Sequence, residues 1–168
     1  MKAKVSIIMG STSDLPIMEK AAKILNDFKI PFEINALSAH RTPEAVETFA
    51  KEASHRGIKV VIAGAGMAAH LPGVIAAMTP VPVIGVPINA TLDGMDALLS
   101  IAQMPPGIPV ATVGINAAMN AGILASQILA VGDKELQKSL ITFKESLKSK
   151  IVKANEELSA LKYDFKTN

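Results

Sequence analysis

The regular alternation of short apolar runs with amphipathic helical patterns constrains the fold of this 168-residue chain more than any other feature. Five apolar runs predict β-strands, at residues 5–9, 32–37, 59–63, 81–86 and 110–115. Between them, apolar residues recur at spacings of three and four, which predicts helices. Strands that are joined by helices form parallel sheets with helices on both faces. We therefore expect a three-layer α/β/α fold around a five-stranded parallel sheet.

The last part of the chain follows a different pattern. Asp133 is a potential N-cap, and a single apolar stripe follows it at spacings of three and four, made of Leu136, Leu140, Phe143, Leu147, Ile151, Ala154, Leu158 and Leu161. With Lys and Glu elsewhere, such a stripe predicts a long amphipathic helix, about 40 Å if it is continuous. We expect residues 1–168 to form a single catalytic domain, with an α/β core at 1–132 and a C-terminal helix and tail at 133–168.

Composition excludes several classes of site and partner. The chain has no cysteine, which rules out disulfides and thiolate metal sites, and its three histidines are dispersed without clustered carboxylates, so we expect no metal site. A net charge of +2 gives no reason to expect nucleic acid or an acidic membrane surface as a partner. Prolines interrupt the apolar runs before they reach a membrane-spanning length. We expect a cytoplasmic protein.

Charge is very unevenly distributed. Between residues 60 and 132 the only charged side chains are Asp93 and Asp96. A single domain of this size has too little interior to bury all of this apolar segment by itself. We therefore expect part of it, and the far end of the long C-terminal helix, to lie in subunit interfaces of a homo-oligomer.

The segment Ser38–Pro43 places a hydroxyl, an imidazole and a guanidinium in one predicted strand-to-helix turn. In it, Thr42 reads as a helix N-cap and Pro43 as the first helical residue. Ligands of open α/β sheets bind at the carboxyl ends of the strands, where this turn would lie. Arg41 can bind a phosphate through two parallel hydrogen bonds, and His40 can transfer a proton near neutral pH.

Two further turns follow the first and third predicted strands. If the first strand is central, as in flavodoxin-like topology, the turns Gly10–Asp14 and Gly64–Gly73 flank the point where ligands bind. The first turn offers hydroxyls and backbone N–H groups to a phosphate, and its Asp14 suits either a ribose diol or the helix N-cap. The third is rich in glycine, which lets the backbone approach a flat ligand. It adds His70, which could equally be structural and bonded to a backbone carbonyl.

In their order along the chain, these motifs resemble the PurE family, the bacterial 5-(carboxyamino)imidazole ribonucleotide mutases of purine biosynthesis. The resemblance begins in residues 10–14, 38–43, 63–66 and 68–73 and continues through residues 85–87, 100–101, 103–105, 107–110 and 127–130. It thus extends to about residue 136. The motif Ser-Ala-His-Arg-Thr-Pro at residues 38–43 resembles that of the mutases more than that of the related animal-type carboxylases, which carry a lysine after the histidine.

The resemblance implies an isomerase that moves a carboxylate from a nitrogen to a ring carbon by decarboxylation and recarboxylation, with His40 as acid and base. No cofactor or metal is implied, and the substrate would be a phosphorylated imidazole ribonucleotide. Its ribose 5-phosphate end would contact Ser11, Ser13, Asp14, Ser38 and Arg41. The third turn would enclose the imidazole and the migrating carboxylate, through Ala65, Gly66, His70 and Leu71. The assembly implied is an octamer.

Other interpretations are open at this point. The chain could be a direct carbon-dioxide-dependent aminoimidazole ribonucleotide carboxylase, another isomerase or lyase of a phosphorylated sugar, or a flavodoxin-like FMN-binding protein. The last is disfavoured because flavin sites usually stack aromatic rings, and the chain has no Trp and only Tyr163 as tyrosine. The sequence also departs from the family pattern at Met67, where glycine is usual, and at Pro106, where a basic residue is common.

Overall fold

A computed structural model describes every residue from Met1 to Asn168. It contains five strands: β1 (Val5–Met9), β2 (Phe32–Ala36), β3 (Val60–Gly66), β4 (Val83–Ile88) and β5 (Ala111–Thr112). Its six α-helices are α1 (Leu15–Asp27), α2 (Pro43–Arg56), α3 (Leu71–Met78), α4 (Met95–Ala102), α5 (Ala118–Ala130) and α6 (Lys134–Ser159). Single turns of 3-10 helix at Thr12–Asp14 and Leu92–Gly94 precede α1 and α4. The chain forms two compact units, Met1–Leu129 and Ala130–Asn168.

The sheet of the first unit is entirely parallel and has the strand order β2-β1-β3-β4-β5. This is the flavodoxin-like order. The chain adds β2 on one side of β1 and then adds β3, β4 and β5 on the other side, so the topological switch point lies between β1 and β3. Met9, the last residue of β1, pairs with Ala36 of β2 on one side and with Gly64 of β3 on the other. The loops that follow these three strands therefore meet at one edge of the sheet, and the predicted fold class is confirmed.

The core forms because the apolar stripes of the helices cover both faces of a largely apolar sheet. All five residues of β1 are buried. On one face, an apolar cluster joins the sheet to α2 and α3 through Val46, Phe49 and Ile75. Elsewhere α1 lies close to α5, because a Cβ atom added to Gly122 would lie only 2.2 Å from Cγ2 of Ile24. That glycine permits the close approach of the two helices.

Three strands have bounds that differ from the predicted ones by more than one residue, whereas the end of β2 and the start of β3 differ by a single residue. β3 runs three residues further than expected, to Gly66, because its last residues pair with β4 through Gly66 and Ile88. β4 starts and ends two residues later than predicted, at Val83 and Ile88, leaving Pro82 outside the strand. β5 is only two residues long. In each case the pairing between neighbouring strands, which hydropathy does not reveal, sets the limit.

The second unit is dominated by α6. The carboxylate of Asp133 accepts a hydrogen bond of 3.0 Å from the backbone N–H of Leu136, so the predicted N-cap is confirmed. The helix has 26 residues, which corresponds to about 39 Å. Of its apolar side chains, Leu147, Ile151 and Leu158 are 42 to 66% exposed. No helix of the chain has the length and apolar character needed to cross a membrane.

Candidate active site

The three loops at the carboxyl edge of the sheet surround a cavity of about 580 Å³. This volume falls within the usual range for small-molecule sites. All ten residues that the sequence placed in the site line this cavity: Ser11, Ser13, Asp14, Ser38, His40, Arg41, Ala65, Gly66, His70 and Leu71. The structure therefore brings together side chains that are separated by up to 60 positions along the chain.

The guanidinium of Arg41 is held by groups from two different loops. Its Nη2 atom donates a hydrogen bond of 2.9 Å to the carbonyl oxygen of Gly10. Its Nε atom donates one of 3.4 Å to the hydroxyl of Ser38, which also accepts from the backbone N–H of Arg41 at 3.2 Å. These contacts fix the plane of the guanidinium and leave the Nη1 donors for a ligand in the cavity.

Thr42 occupies the N-cap position of α2, but its hydroxyl does not cap the helix. Instead the hydroxyl accepts a hydrogen bond of 3.0 Å from the backbone N–H of Ser38 and lies 3.2 Å from the carbonyl oxygen of Ser38, to which it donates. The predicted N-cap position of Thr42 is therefore confirmed, without a capping bond from its side chain, and Pro43 begins the helix as expected. The threonine closes the loop that carries His40 and Arg41, because it bonds back across four residues.

In the first loop the hydroxyls of serine organise the backbone. The Oγ atom of Ser11 accepts a hydrogen bond of 3.3 Å from the backbone N–H of Ser13, and the hydroxyl of Ser13 donates to Oδ1 of Asp14 at 3.3 Å. The carboxylate of Asp14 makes no cap bond to α1, which argues against the interpretation of Asp14 as a helix cap. It is therefore available to a ligand.

Burial raises the pKa of Asp14 above its ordinary value. The hydrogen bond from Ser13, a backbone hydrogen bond from Ser11 and the positive charge of Arg41 act in the opposite direction but do not cancel the effect of burial. The reason is that removing water from a carboxylate disfavours its charged form. A hydroxyl donor in the cavity would restore part of the lost solvation.

The second and third loops meet through two histidines. The Nε2 atom of His40 lies 2.8 Å from the Nδ1 atom of His70, a hydrogen-bond distance. The ring centroids are 4.9 Å apart and the ring planes are inclined at 82°. The side chain of His70 is thus bonded to an imidazole, and the alternative of a bond to a backbone carbonyl was wrong. The pair presents a group that can take up and release a proton inside the cavity.

The end of β3 forms one wall of the cavity. A Cβ atom at Gly66 would lie 3.1 Å from the carbonyl oxygen of Ile88 and 3.2 Å from Cβ of Ala90, so glycine lets the two chain segments approach here. Met67 follows with a φ of +55° and is 56% exposed. A left-handed conformation costs a residue with a side chain about 1–3 kcal/mol.

Five lining residues were not among those predicted: Gly10, Ala39, Met67, Ala68 and Ala90. None of them carries a polar side chain, so no chemical signal in the sequence marked them. Gly10 contributes its carbonyl oxygen, and Ala90 comes from the loop after β4. The strand order would have indicated Ala90, because β4 is the neighbour of β3. Nowhere does the structure group three or more His, Cys, Asp or Glu side chains in a way that could hold a metal ion.

Comparison with known proteins shows which proteins the chain is similar to. A Pyrococcus abyssi protein named N5-carboxyaminoimidazole ribonucleotide mutase is 58% identical over 146 residues, which cover 86% of this chain and 84% of that protein. A Candida glabrata protein named phosphoribosylaminoimidazole carboxylase is 52% identical over 97% of this chain and 29% of its own length. The crystal structure of Treponema denticola PurE has a TM-score of 0.83 at 34% identity, covering 92% of this chain and 97% of that chain.

The comparison with family models gives the same result. The model described as AIR carboxylase matches residues 4–150, which include all three loops of the cavity. The resemblance to PurE that the motifs indicated is thereby confirmed. Because the match extends over most of its length, the chain belongs to the AIR carboxylase family.

Proposed function

We propose that this chain is an N5-carboxyaminoimidazole ribonucleotide mutase of de novo purine biosynthesis. The reaction moves a carboxylate from the exocyclic nitrogen of the nucleotide to a carbon of its imidazole ring. The observation that carries the proposal is the contact of His40 with His70 in a cavity that also presents Arg41. A proton-transfer group and a cation suited to phosphate thus lie in one space. Relatives named for this mutase activity, in Pyrococcus abyssi and Thermotoga maritima, support it.

The phosphate end of the substrate would bind at the first two loops. Arg41 is oriented by Gly10 and Ser38, so little side-chain freedom is left to lose when a phosphate binds. A guanidinium can contact two phosphate oxygens at once, which fixes both distance and direction. Ser11 and Ser13 line the same cavity; the hydroxyl of Ser11 can donate to a further phosphate oxygen, and that of Ser13 could do so only by leaving Asp14.

The carboxylate of Asp14 would accept hydrogen bonds from the ribose hydroxyls. A carboxylate repels a phosphate but accepts from two neighbouring hydroxyl groups. The raised pKa of Asp14 supports this role, because burial leaves its charged form short of donors in the free protein. A ribose diol would supply those donors.

The imidazole of the nucleotide and its carboxylate would lie against the third loop, at Ala65, Gly66, His70 and Leu71. This wall has no charged side chain and comes close to His40 through the contact with His70. His40 would give a proton to the exocyclic nitrogen as carbon dioxide leaves. After the ring carbon has captured the carbon dioxide, His40 would take the proton from that carbon. One imidazole can perform both transfers, because the proton that it gives up in the first step is replaced by the proton that it takes in the second.

Confinement would supply much of the rate. Carbon dioxide released within about 3–3.5 Å of the ring carbon reacts as if its concentration were far above that in solution. The migration involves no change of oxidation state, so a confining cavity and one acid and base suffice. No cofactor is part of the proposal.

Direct carboxylation is the second candidate function. It is favoured by the description of the matching family and by the yeast relatives, which are named carboxylases. In that reaction the substrate is the unsubstituted aminoimidazole ribonucleotide, and carbon dioxide comes from solution. The same cavity would serve, because the two reactions share the step in which the ring carbon is carboxylated.

One assay separates the two functions. The purified protein is given either the N-carboxylated nucleotide without bicarbonate, or aminoimidazole ribonucleotide with bicarbonate, each with and without ATP. A mutase forms the ring-carboxylated product from the first substrate with no need for ATP or bicarbonate. A carboxylase forms it from the second, at a rate proportional to dissolved carbon dioxide. No product from either substrate would refute both functions.

A homo-octamer is part of the same proposal, with a cytoplasmic location. The exposed stripe of α6, at Leu147, Ile151 and Leu158, supports subunit contacts, because several large apolar side chains in a row are seldom left in water. The number of subunits comes from the family resemblance alone. We also propose that both compact units belong to one catalytic domain.

A further inference from the structure

The backbone of the loop between β4 and α4 is strained. Leu92, Asp93 and Gly94 follow one another with φ values of +45°, +53° and +82°. Residues with a side chain keep such values only where surrounding contacts hold them. The same loop borders the cavity, because Ala90 lines it and a Cβ atom added to Gly66 would lie 3.2 Å from that of Ala90. The contacts that hold this loop therefore help to set the shape of the cavity.

Asn116, in the loop after β5, continues the hydrogen bonding of the sheet beyond its last regular pair. The pairing of β4 with β5 ends at Gly85 and Thr112. Further along, the backbone N–H of Asn116 donates a hydrogen bond of 2.8 Å to the carbonyl oxygen of Pro87. Its side-chain Oδ1 atom accepts one of 2.9 Å from the backbone N–H of Asn89. The side-chain amide thus takes the place that a peptide carbonyl has in a regular strand pair.

The backbone of Asn116 is adapted to this contact. Its φ is +58°, and asparagine tolerates the left-handed conformation better than most residues with a side chain. Asn116 is half-buried and does not line the cavity, so its side chain acts through the loop to which it is bonded. On the other side of Ala90, the hydroxyl of Thr91 donates to the carboxylate of Asp96. Ala90 thus lies between two residues that are each held by a hydrogen bond.

We infer that Asn116 is a positioning residue, which holds Ala90 against Gly66 and thereby sets the width of the cavity at the end that receives the imidazole ring. The inference rests on the proposed mutase function, in which the ring lies against the third loop. A wall segment that is already fixed in the free protein loses no freedom when the ring binds, so its fixation favours binding. Loss of the bond from Asn116 would free the segment. Contacts with the ring would weaken, whereas the phosphate, which binds at the first two loops, would be unaffected.

Two ligands, one with the ring and one without it, measure this role. The probes are aminoimidazole ribonucleotide and ribose 5-phosphate, and titration calorimetry gives both affinities. Asn116→Gly removes the Oδ1 atom and relieves the left-handed backbone. We expect this variant to bind the nucleotide about fivefold more weakly, the equivalent of one hydrogen bond, and to bind ribose 5-phosphate within about twofold of the natural chain. The kcat/KM for the N-carboxylated nucleotide should fall by a factor similar to that for nucleotide binding.

Three other variants identify the cause. Asn116→Asp keeps an oxygen acceptor at the same place and should bind the nucleotide within about twofold of the natural chain. Asn116→Ala removes the acceptor and keeps a Cβ atom, so it should lose the same affinity at a lower Tm; if it does not fold, Asn116→Gly carries the test. Lys29→Gly is the matched control, because Lys29 has a φ of +56°, is exposed and does not line the cavity. It relieves the same kind of backbone strain and should leave both affinities unchanged.

The outcomes separate this inference from the function on which it rests. If Asn116→Gly binds the nucleotide as tightly as the natural chain does, the positioning role is wrong while the mutase function stands. An equal loss for both ligands would also overturn it, because the whole cavity would then have changed. So would a loss in Asn116→Asp as large as that in Asn116→Gly, because the missing acceptor would not be the cause. If the natural chain binds the nucleotide but forms no ring-carboxylated product, the mutase function falls, and the two affinities still decide the role of Asn116. If the natural chain does not bind the nucleotide, both proposals fall together.

Discussion

The Nε2 atom of His40 and the Nδ1 atom of His70 lie 2.8 Å apart, although 30 positions separate the residues in the chain. One proton occupies a hydrogen bond of this kind, so one ring donates and the other accepts. The two facing nitrogen atoms cannot both carry a proton at this distance. The contact therefore fixes the mutual orientation of the two imidazoles.

Replacing His40 by asparagine tests the proposed acid and base. Asparagine keeps a polar side chain but cannot transfer a proton, so we expect His40→Asn to abolish turnover and to change nucleotide affinity by less than about tenfold. Product formation and calorimetric titration measure the two effects. His55→Asn is the control, because His55 is exposed on α2 and does not line the cavity. Turnover within a few-fold of the natural chain in His40→Asn would refute the role.

Replacing His70 tests whether its contact with His40 matters for the rate. His70→Leu removes the hydrogen-bonding partner, which is worth about 1 kcal/mol, and should lower kcat by roughly fivefold. His70→Asn can still donate or accept, so it should retain more activity than the leucine variant. Steady-state kinetics decide the question. Equal kcat values for the leucine variant and the natural chain would show that the contact does not contribute to turnover.

Arg41→Lys tests the phosphate site. An ammonium group cannot reproduce two parallel hydrogen bonds or the contacts to Gly10 and Ser38, so we expect nucleotide binding to weaken by about tenfold or more. Binding of the unphosphorylated nucleoside should change little. The matched control is Arg56→Lys, since Arg56 forms an ion pair with Glu33 and does not line this cavity. An equal loss for nucleotide and nucleoside would place Arg41 away from the phosphate.

The raised pKa of Asp14 predicts a pH dependence of stability. Because the folded protein binds this proton more tightly than the unfolded chain, Asp14 lowers stability as pH rises from the ordinary aspartate pKa through the raised folded value. Asp14→Asn should therefore increase Tm at pH 7, and the gain should shrink as pH falls towards about 4. Thermal unfolding monitored by circular dichroism measures this. A gain that is the same at both pH values would show that burial of the charge is not its cause.

The same substitution has a second consequence at the proposed ribose contact. Asparagine accepts fewer hydrogen bonds than a carboxylate, so Asp14→Asn should weaken nucleotide binding while it stabilises the free protein. Opposite changes in stability and affinity are typical of residues whose conformation serves binding. Titration calorimetry at pH 7 gives the affinity.

Charges placed in the exposed stripe of α6 test the proposed assembly. Ile151→Glu with Leu158→Glu would bury two unpaired carboxylates in an apolar interface, at a cost of several kcal/mol, and should dissociate the oligomer. The double variant Ser146→Glu with Ser149→Glu is the control. It adds the same charge, and at 100° per residue it lies on the opposite face of the helix. Light scattering gives the mass. An unchanged octamer with unchanged thermal stability would show that this stripe is not an interface.

The sequence by itself determined the elements whose limits depend on nearby residues. β1 has the predicted bounds, Val5–Met9, because a mostly apolar run ends at a small, polar turn. Helix α2 starts at Pro43 and ends before Gly57, whose φ of +94° only glycine adopts without strain. Asp133 caps α6 as expected. In each case the decisive interaction lies within about four residues of the chain.

Much of the candidate site was also predictable, because all three loops follow parallel strands. Because β1 lies between β2 and β3, the loops that follow these three strands meet at one edge, and every polar residue assigned to the site lines the cavity. What the alternation of strands and helices could not provide was the apolar part of the wall. Ala90 and Met67 carry no functional group, so only their positions in space reveal them.

The tertiary structure alone decided how far the central strands run and which polar groups meet. β3 extends to Gly66 because β4 offers Ile88 as its partner. His40 reaches His70 because two strand ends lie near each other at the sheet edge. These outcomes depend on hydrogen bonds and packing between residues that are far apart in the sequence. Such contacts do not produce a periodic pattern of apolar residues.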